Sequence, residues 1–255
     1  MDLGLRDRVY VVTGGSRGLG RATAEALVSD GAHVVISGRD EIRLQETAAA
    51  LRGMADDCVE PVAADNADPA SAARLVAAAT GRWGRLDGAL VSVGGPPPGL
   101  PSAITDEQWR SAFESVFLGA VRLVHAVADA CTDGGSIVLV LSTSVKAPVG
   151  GLATSNGIRP GLAMLGKDIA DELGPRGIRV TSLLPGRLDT ERVRELDGLA
   201  DDPAEARRDW EQRIPLRRYG GPEEFGRVAA FVLSPTASYL TGSVIAVDGG
   251  MTRAL

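Results

Sequence analysis

The sequence predicts one α/β domain built on a parallel sheet. Short β-branched runs alternate with longer helical patterns, and no linker, composition break or internal repeat divides the 255 residues. Near-continuous apolar strands separated by helical stretches of roughly 10–15 residues indicate βαβ units, with helices covering both faces of the sheet. A chain of this length buries a core that needs no staple.

The elements follow in order. RVYVVTG (8–14) is a strand and LGRATAEALVSDG (19–31) a helix stopped by Gly31. HVVISGR (33–39) is the second strand, followed by a helix from Asp40 to Leu51, which Asp40 caps. VEPVAAD (59–65), a helix over 69–84 and LDGALVSVG (86–94) come next. A Pro-rich loop, GGPPPG (94–99), leads into a long helical region over 106–130. GSIVLVLSTS (135–144), IRVTSLLPG (178–186) and GSVIAVDGG (242–250) complete seven strands.

Residues 152–173, LATSNGIRPGLAMLGKDIADEL, are less regular. Leu162, Leu165, Ile169 and Leu173 fall on one side of a helix. Gly157, Pro160 and Gly161 oppose its beginning, by roughly 1 kcal/mol for each Gly and about 3 for Pro. The expected helix therefore starts near Asn156, as a cap, or later, and leaves Ser155 in the loop. The charged stretch 191–218 interrupts the alternation and is too long for a tight connection, which suggests a lid or two solvated surface helices. We take 187–218 as a substrate loop within a single domain spanning 1–255.

Composition excludes some partners. A formal net charge of -6 and a pI of about 5.1 speak against nucleic acid and anionic membrane. No uncharged apolar run is long enough to span a bilayer, and the N-terminus lacks a secretory pattern. Cys58 and Cys131 have no CxxC spacing, so a reduced, cytoplasmic state and a packing role are expected. Two histidines and two cysteines spread along the chain offer almost no zinc ligands.

TGGSRGLG (13–20) follows the first strand and opens the first helix. Gly14, Gly18 and Gly20 permit a tight turn and close backbone approach, with Ser16, Arg17 and Leu19 between them. The helix N-terminus then presents amides to a pyrophosphate. After the second strand, where an acid usually meets a ribose 2′-hydroxyl, this chain has Ser37, Gly38 and Arg39. A guanidinium suits a 2′-phosphate, and Arg17 adds a second cation, so NADP(H) is expected over NAD(H).

These motifs resemble the short-chain dehydrogenase/reductase family, over nearly the whole chain. The glycine loop fits TGxxxGxG, and AADNAD (63–68) resembles the adenine-contacting segment with Asp65 and Asn66. SVGG (92–95) stands where the family has Asn-Asn-Ala-Gly and places Gly94 beside the cofactor. LLPGRLDT (183–190) matches the signature beside the nicotinamide, giving Pro185, Gly186 and Thr190. Length and layout are most similar to 3-oxoacyl carrier-protein reductases. The resemblance implies a doubly wound, seven-stranded sheet, the Rossmann fold, in a homotetramer or homodimer assembled through the two long central helices and the last strand. It also implies reduction of a small-molecule carbonyl substrate.

The catalytic pattern departs from the family's. Ser142 fits the serine after strand five. Thirteen residues on, where the family has Tyr, stands Ser155; four further, Arg159 replaces Lys. The expected helical Asn aligns with Val116, with Ser115 adjacent. Ser142, Ser155 and Arg159 are therefore the candidate catalytic residues. Ser155 is a far weaker acid than a phenol, and Arg159 keeps the charge without relaying a proton. Lys146 and Lys167 read as solvated, and no tyrosine has a motif reason to replace the phenol. The function expected is NADP(H)-dependent ketone reduction at an atypical site. The alternatives are NADP(H) binding without turnover, as a sensor or partner subunit, and a non-redox dehydratase or isomerase reaction on the same scaffold.

Overall fold

The strand Val9–Val12 (β1) is the line from which the sheet grows in both directions in this computed structural model, which describes residues 2–254. His33–Gly38 (β2) pairs on one side and Val59–Ala63 (β3) extends it. On the other side lie Gly88–Ser92 (β4), Gly135–Val140 (β5), Ile178–Pro185 (β6) and Val244–Val247 (β7). The order is β3-β2-β1-β4-β5-β6-β7, with every pair parallel. The chain winds outward to β3 and returns to β4 on the far side of β1. That reversal opens a crevice beyond the carboxyl ends of β1 and β4.

Residues of β1 alternate between two cores, as a strand buried on both faces requires. Tyr10 and Val12 pack with Leu27 and Phe225, beneath helices Gly18–Ser29 (α1), Glu41–Arg52 (α2) and, late in the chain, Pro222–Leu233. Val9 and Val11 pack with Leu75, Leu123 and Ile169, beneath Ser71–Trp83 (α3) and two longer helices. The first of these runs Asp106–Ala112 (α4), then a π-helical stretch Phe113–Leu118, then Gly119–Ala130 (α5). By length and composition this run would suffice to cross a membrane. Here Ala120, Leu123, Val124 and Val127 bury its apolar face on the sheet.

The second long helix, Ala153–Leu173 (α6), corrects the sequence expectation. It begins before Asn156 and runs through Pro160, so Ser155 is the third helical residue rather than a loop residue. Packing outweighs propensity here. Ile158, Leu162 and Ala163 are buried, and bare Gly157 admits the Trp109 ring, which a Cβ would meet at 2.9 Å. The Asn156 side chain both donates to the Val149 carbonyl and accepts from its amide, fastening the preceding loop.

Glu191–Asp197 (α7) and Pro203–Arg213 (α8) fill the stretch 191–218, and α9 (Pro222–Leu233) follows. Thr190 caps α7 and Asp202 caps α8, with side-chain oxygens accepting first-turn amides.

Candidate active site

The glycine loop leaves β1 with Gly14 at a φ of +61°, in the left-handed region, and a Cβ there would lie 2.9 Å from the Ser92 carbonyl oxygen. A Cβ at Gly20 would stand 2.2 Å from the Gly14 carbonyl oxygen, so α1 approaches β1 only because this residue is bare. Arg17 is the N-cap of α1, with no side-chain cap and no acid in the first turn. The helix end thus keeps amides for an anion.

Beside it lie three guanidiniums, Arg17, Arg39 and Arg43. Arg39 makes no ion pair among the described residues. Arg17 and Arg43 both donate to Glu191, at 2.9 and 2.8 Å, and these bonds hold the Glu191 carboxyl below its usual range. Asp40 accepts from the Arg43 amide and caps α2, as the sequence suggests. The Asp65 carboxylate accepts from the Ala67 amide, and the Asn66 carbonyl packs against the start of α5, where only glycine fits at 119.

At the other end, the peptide leaving β5 turns sharply. The Ser142 Oγ accepts from the Ser144 amide at 3.1 Å, and the Ser144 and Ser155 hydroxyls share a hydrogen bond of 3.1 Å. Arg159, one turn further along α6, is buried and donates to the Val140 carbonyl at 2.8 Å and the Val93 carbonyl at 3.4 Å. Burial, aided by the like charge of Arg192, pushes this guanidinium down to about 10. It remains charged at neutral pH.

These ends belong to one cavity of about 1370 Å³. Its wall includes Gly14, Ser16, Arg17, Gly18, Leu19 and Gly20 from the loop, and Arg39, Asp65, Asn66 and Gly94 beyond β2, β3 and β4. Ser142, Ser155, Arg159, Pro185, Gly186 and Thr190 complete the set read from the sequence. No tyrosine, lysine, histidine or cysteine lines it among the described residues. Tyr10 lies in the core, Tyr239 is exposed, and the Tyr219 hydroxyl donates to Asp197. Lys167 donates to the Gly242 carbonyl, and exposed Lys146 is not part of the cavity wall.

Several wall residues are not singled out by the sequence. At the helical Asn position, the neighbour Ser115 rather than Val116 faces the cavity, and Val116 packs with Ala112 and Ile158. Arg43, Ser144 and Glu191 enter through their partners. From 187–218 come Arg187, Arg192, Trp210 and Arg213, with the Arg187 guanidinium 4.0 Å over the Trp210 ring and paired with Asp197 at 2.7 Å. The Arg43 signal was one turn beyond a predicted cap, and the Ser144 signal was a serine two residues after Ser142.

A family model described as enoyl-(acyl carrier protein) reductase matches residues 14–252. Levodione reductase of Leifsonia aquatica is 32% identical, covering 97% of this chain and 95% of the relative. L-rhamnose 1-dehydrogenase (NAD(P)(+)) of Azotobacter vinelandii is 36% identical, covering 97% of each. Among solved structures, L-sorbose reductase of Gluconobacter frateurii, complexed with NADPH and L-sorbose, superposes with a TM-score of 0.95 at 29% identity, over 100% of both chains.

Proposed function

The chain belongs to the short-chain dehydrogenase/reductase family of oxidoreductases, and from that premise we propose that it reduces a ketone with NADPH at a Ser/Arg site without the usual Tyr-Lys pair. The observation that carries this reading is the single cavity, which joins the phosphate-binding loop to Ser142, Ser155 and Arg159.

The residues present fit an NADP(H) molecule. The bare cradle at Gly14 and Gly20 admits a pyrophosphate, and Arg17, Arg39 and Arg43 offer a 2′-phosphate three cations. Asp65 and Asn66 serve the adenine end, and Pro185, Gly186 and Thr190 the nicotinamide end. The chemistry that a nicotinamide held there would supply is a hydride for the carbonyl carbon.

The protein's part is positioning and charge. Ser142 Oγ already accepts from the Ser144 amide, so its own proton is left to donate to the carbonyl oxygen. Ser155, held by Ser144, offers a second hydroxyl at the first turn of α6, whose dipole favours negative charge. Arg159 adds a fixed cation. No acid of phenol strength faces this oxygen, so water gives the proton.

Several further assignments belong to the same reading. The segment 187–218 closes over substrate. The enzyme assembles as a homotetramer or homodimer through its central helices, a reading supported by exposed Phe113 and Met164. It works in the cytoplasm, which suits two free, buried cysteines. Neither nucleic acid nor membrane is a partner.

The test is NADPH oxidation followed by absorbance against a broad panel of ketones. Turnover with at least one supports the reading. Tight NADPH binding with no turnover favours the second one, a nucleotide-binding protein without redox activity, for which the missing tyrosine and lysine in the cavity wall are the specific observation. Product formed without NADPH loss would point to isomerase or dehydratase chemistry.

A further inference from the structure

We propose that Arg159 and Arg192 form an anion subsite, and that the substrate is an oxo acid whose carboxylate they hold. This inference rests on the reductase reading above.

Among the described residues, the wall of the cavity carries eight arginines against four carboxylates, on a chain whose net charge is -6. Three of these arginines have a close carboxylate partner among the described residues. Arg17 and Arg43 share Glu191, and Arg187 has Asp197. Arg159 is different: it is buried, and among the described residues it donates only to the Val140 and Val93 carbonyls. Arg192 donates to the Pro96 carbonyl at 2.9 Å, and its one carboxylate contact among the described residues, to Glu195, is 3.5 Å long.

Val93 and Pro96 belong to one short loop, so both guanidiniums rest on the same stretch of backbone. A Cβ at Gly95 would lie 2.7 Å from the Arg192 Nε, so this bare residue is what lets Arg192 settle there. The two cations repel each other, and burial denies Arg159 the water that would screen it. A carboxylate entering between them relieves both effects and accepts charge-assisted hydrogen bonds.

The distance along α6 selects a small oxo acid. Ser155 and Arg159 share one face of α6, with Cβ atoms about 5–6 Å apart, and the Arg159 guanidinium lies on the Val140 carbonyl, two residues before Ser142. A carboxylate held at Arg159 therefore leaves a carbonyl one to three carbons away within reach of the serine hydroxyls. The carbonyl carbon takes a hydride from NADPH and its oxygen takes a proton from water. The products are a hydroxy acid, NADP+ and the hydroxide left by that water.

The experiment titrates NADP+-loaded protein calorimetrically with 2-oxobutanoate, acetoacetate and 4-oxopentanoate, and with the methyl ester of each. At least one acid should bind about ten-fold or more tightly than its ester. Arg192→Gln should erase that preference while leaving NADPH affinity unchanged, and Arg192→Lys should restore part of it. Equal binding of acid and ester, or binding of neither, overturns the proposal. Weaker NADPH binding by Arg192→Gln with the acid preference intact also overturns it, because the cations then serve the cofactor's pyrophosphate. NADPH oxidation is measured in parallel. An acid preference without turnover sinks the reductase reading and keeps the subsite; turnover of esters but not acids does the reverse.

Discussion

Glu191 and Arg17 meet at 2.9 Å and so join the first turn of α7 to the glycine loop. The same carboxylate takes Arg43 from α2 at 2.8 Å. An acid therefore sits on two of the three cations that, on the proposed reading, would face a 2′-phosphate. Glu191→Gln should tighten NADPH binding several-fold and leave NADH binding almost unchanged. Both side chains are about half exposed, so solvent weakens the competition and 0.5 M salt should shrink the effect. Equal changes for the two nucleotides, measured by fluorescence titration, would refute the competition.

Ser142 is the hydroxyl best arranged to donate. Its oxygen accepts from the Ser144 amide, which leaves its proton to donate, so removing the hydroxyl would cost the proposed reaction one donor to the developing charge. Ser142→Ala should lower kcat about 10²-fold or more, as for other single-donor losses, with a smaller effect on KM. Ser144→Ala, which removes only the partner of Ser155, should cost less. A larger loss in Ser144→Ala than in Ser142→Ala would assign the donor wrongly.

The frame that holds the site rests partly on Asp87. Its carboxylate is nearly buried and accepts from Arg8, Arg85 and the Val9 amide, which ties the start of β1 to the entry of β4. Asp87→Asn removes the charge and leaves these donors poorly satisfied. Urea unfolding should show a loss of about 2–3 kcal/mol. A change under 0.5 kcal/mol would mean that solvent already satisfies both arginines.

Local patterns were legible in the sequence, and contacts between distant segments were not. VYVV on β1 announces burial on both faces, and Gly14 to Gly20 announce a cradle, because each is decided within a few neighbouring residues. The meeting of Arg43 with Glu191 spans 148 residues, and no periodicity reports it. The same holds for Arg192 against Gly95 and Pro96. The start of α6 misled in another way. Gly157 and Pro160 oppose a helix by propensity, yet Gly157 is the gap that Trp109 fills, so the weak former is also the packing solution. Val116 and Ser115 differ by a single step along the π-helical stretch, whose altered winding no residue count foresees.

Arg159 carries the last prediction. Burial, and then the like charge of Arg192, lowers its proton affinity. The sign is that of a cation in a desolvated site: the charge is present below the folded-state value and is lost as pH rises through it. Arginine starts so high that the wild-type profile should stay flat from pH 7 to about 9. Arg159→Lys puts an amine with an ordinary value of about 10.4 into the same pocket. The same burial should bring its midpoint down by a unit or more. The variant's kcat/KM should therefore begin to fall within pH 7 to 9, toward a midpoint below about 9.5, while the wild type does not change over that range. Parallel profiles for the two proteins would show that the charge at this position does not act on the reaction.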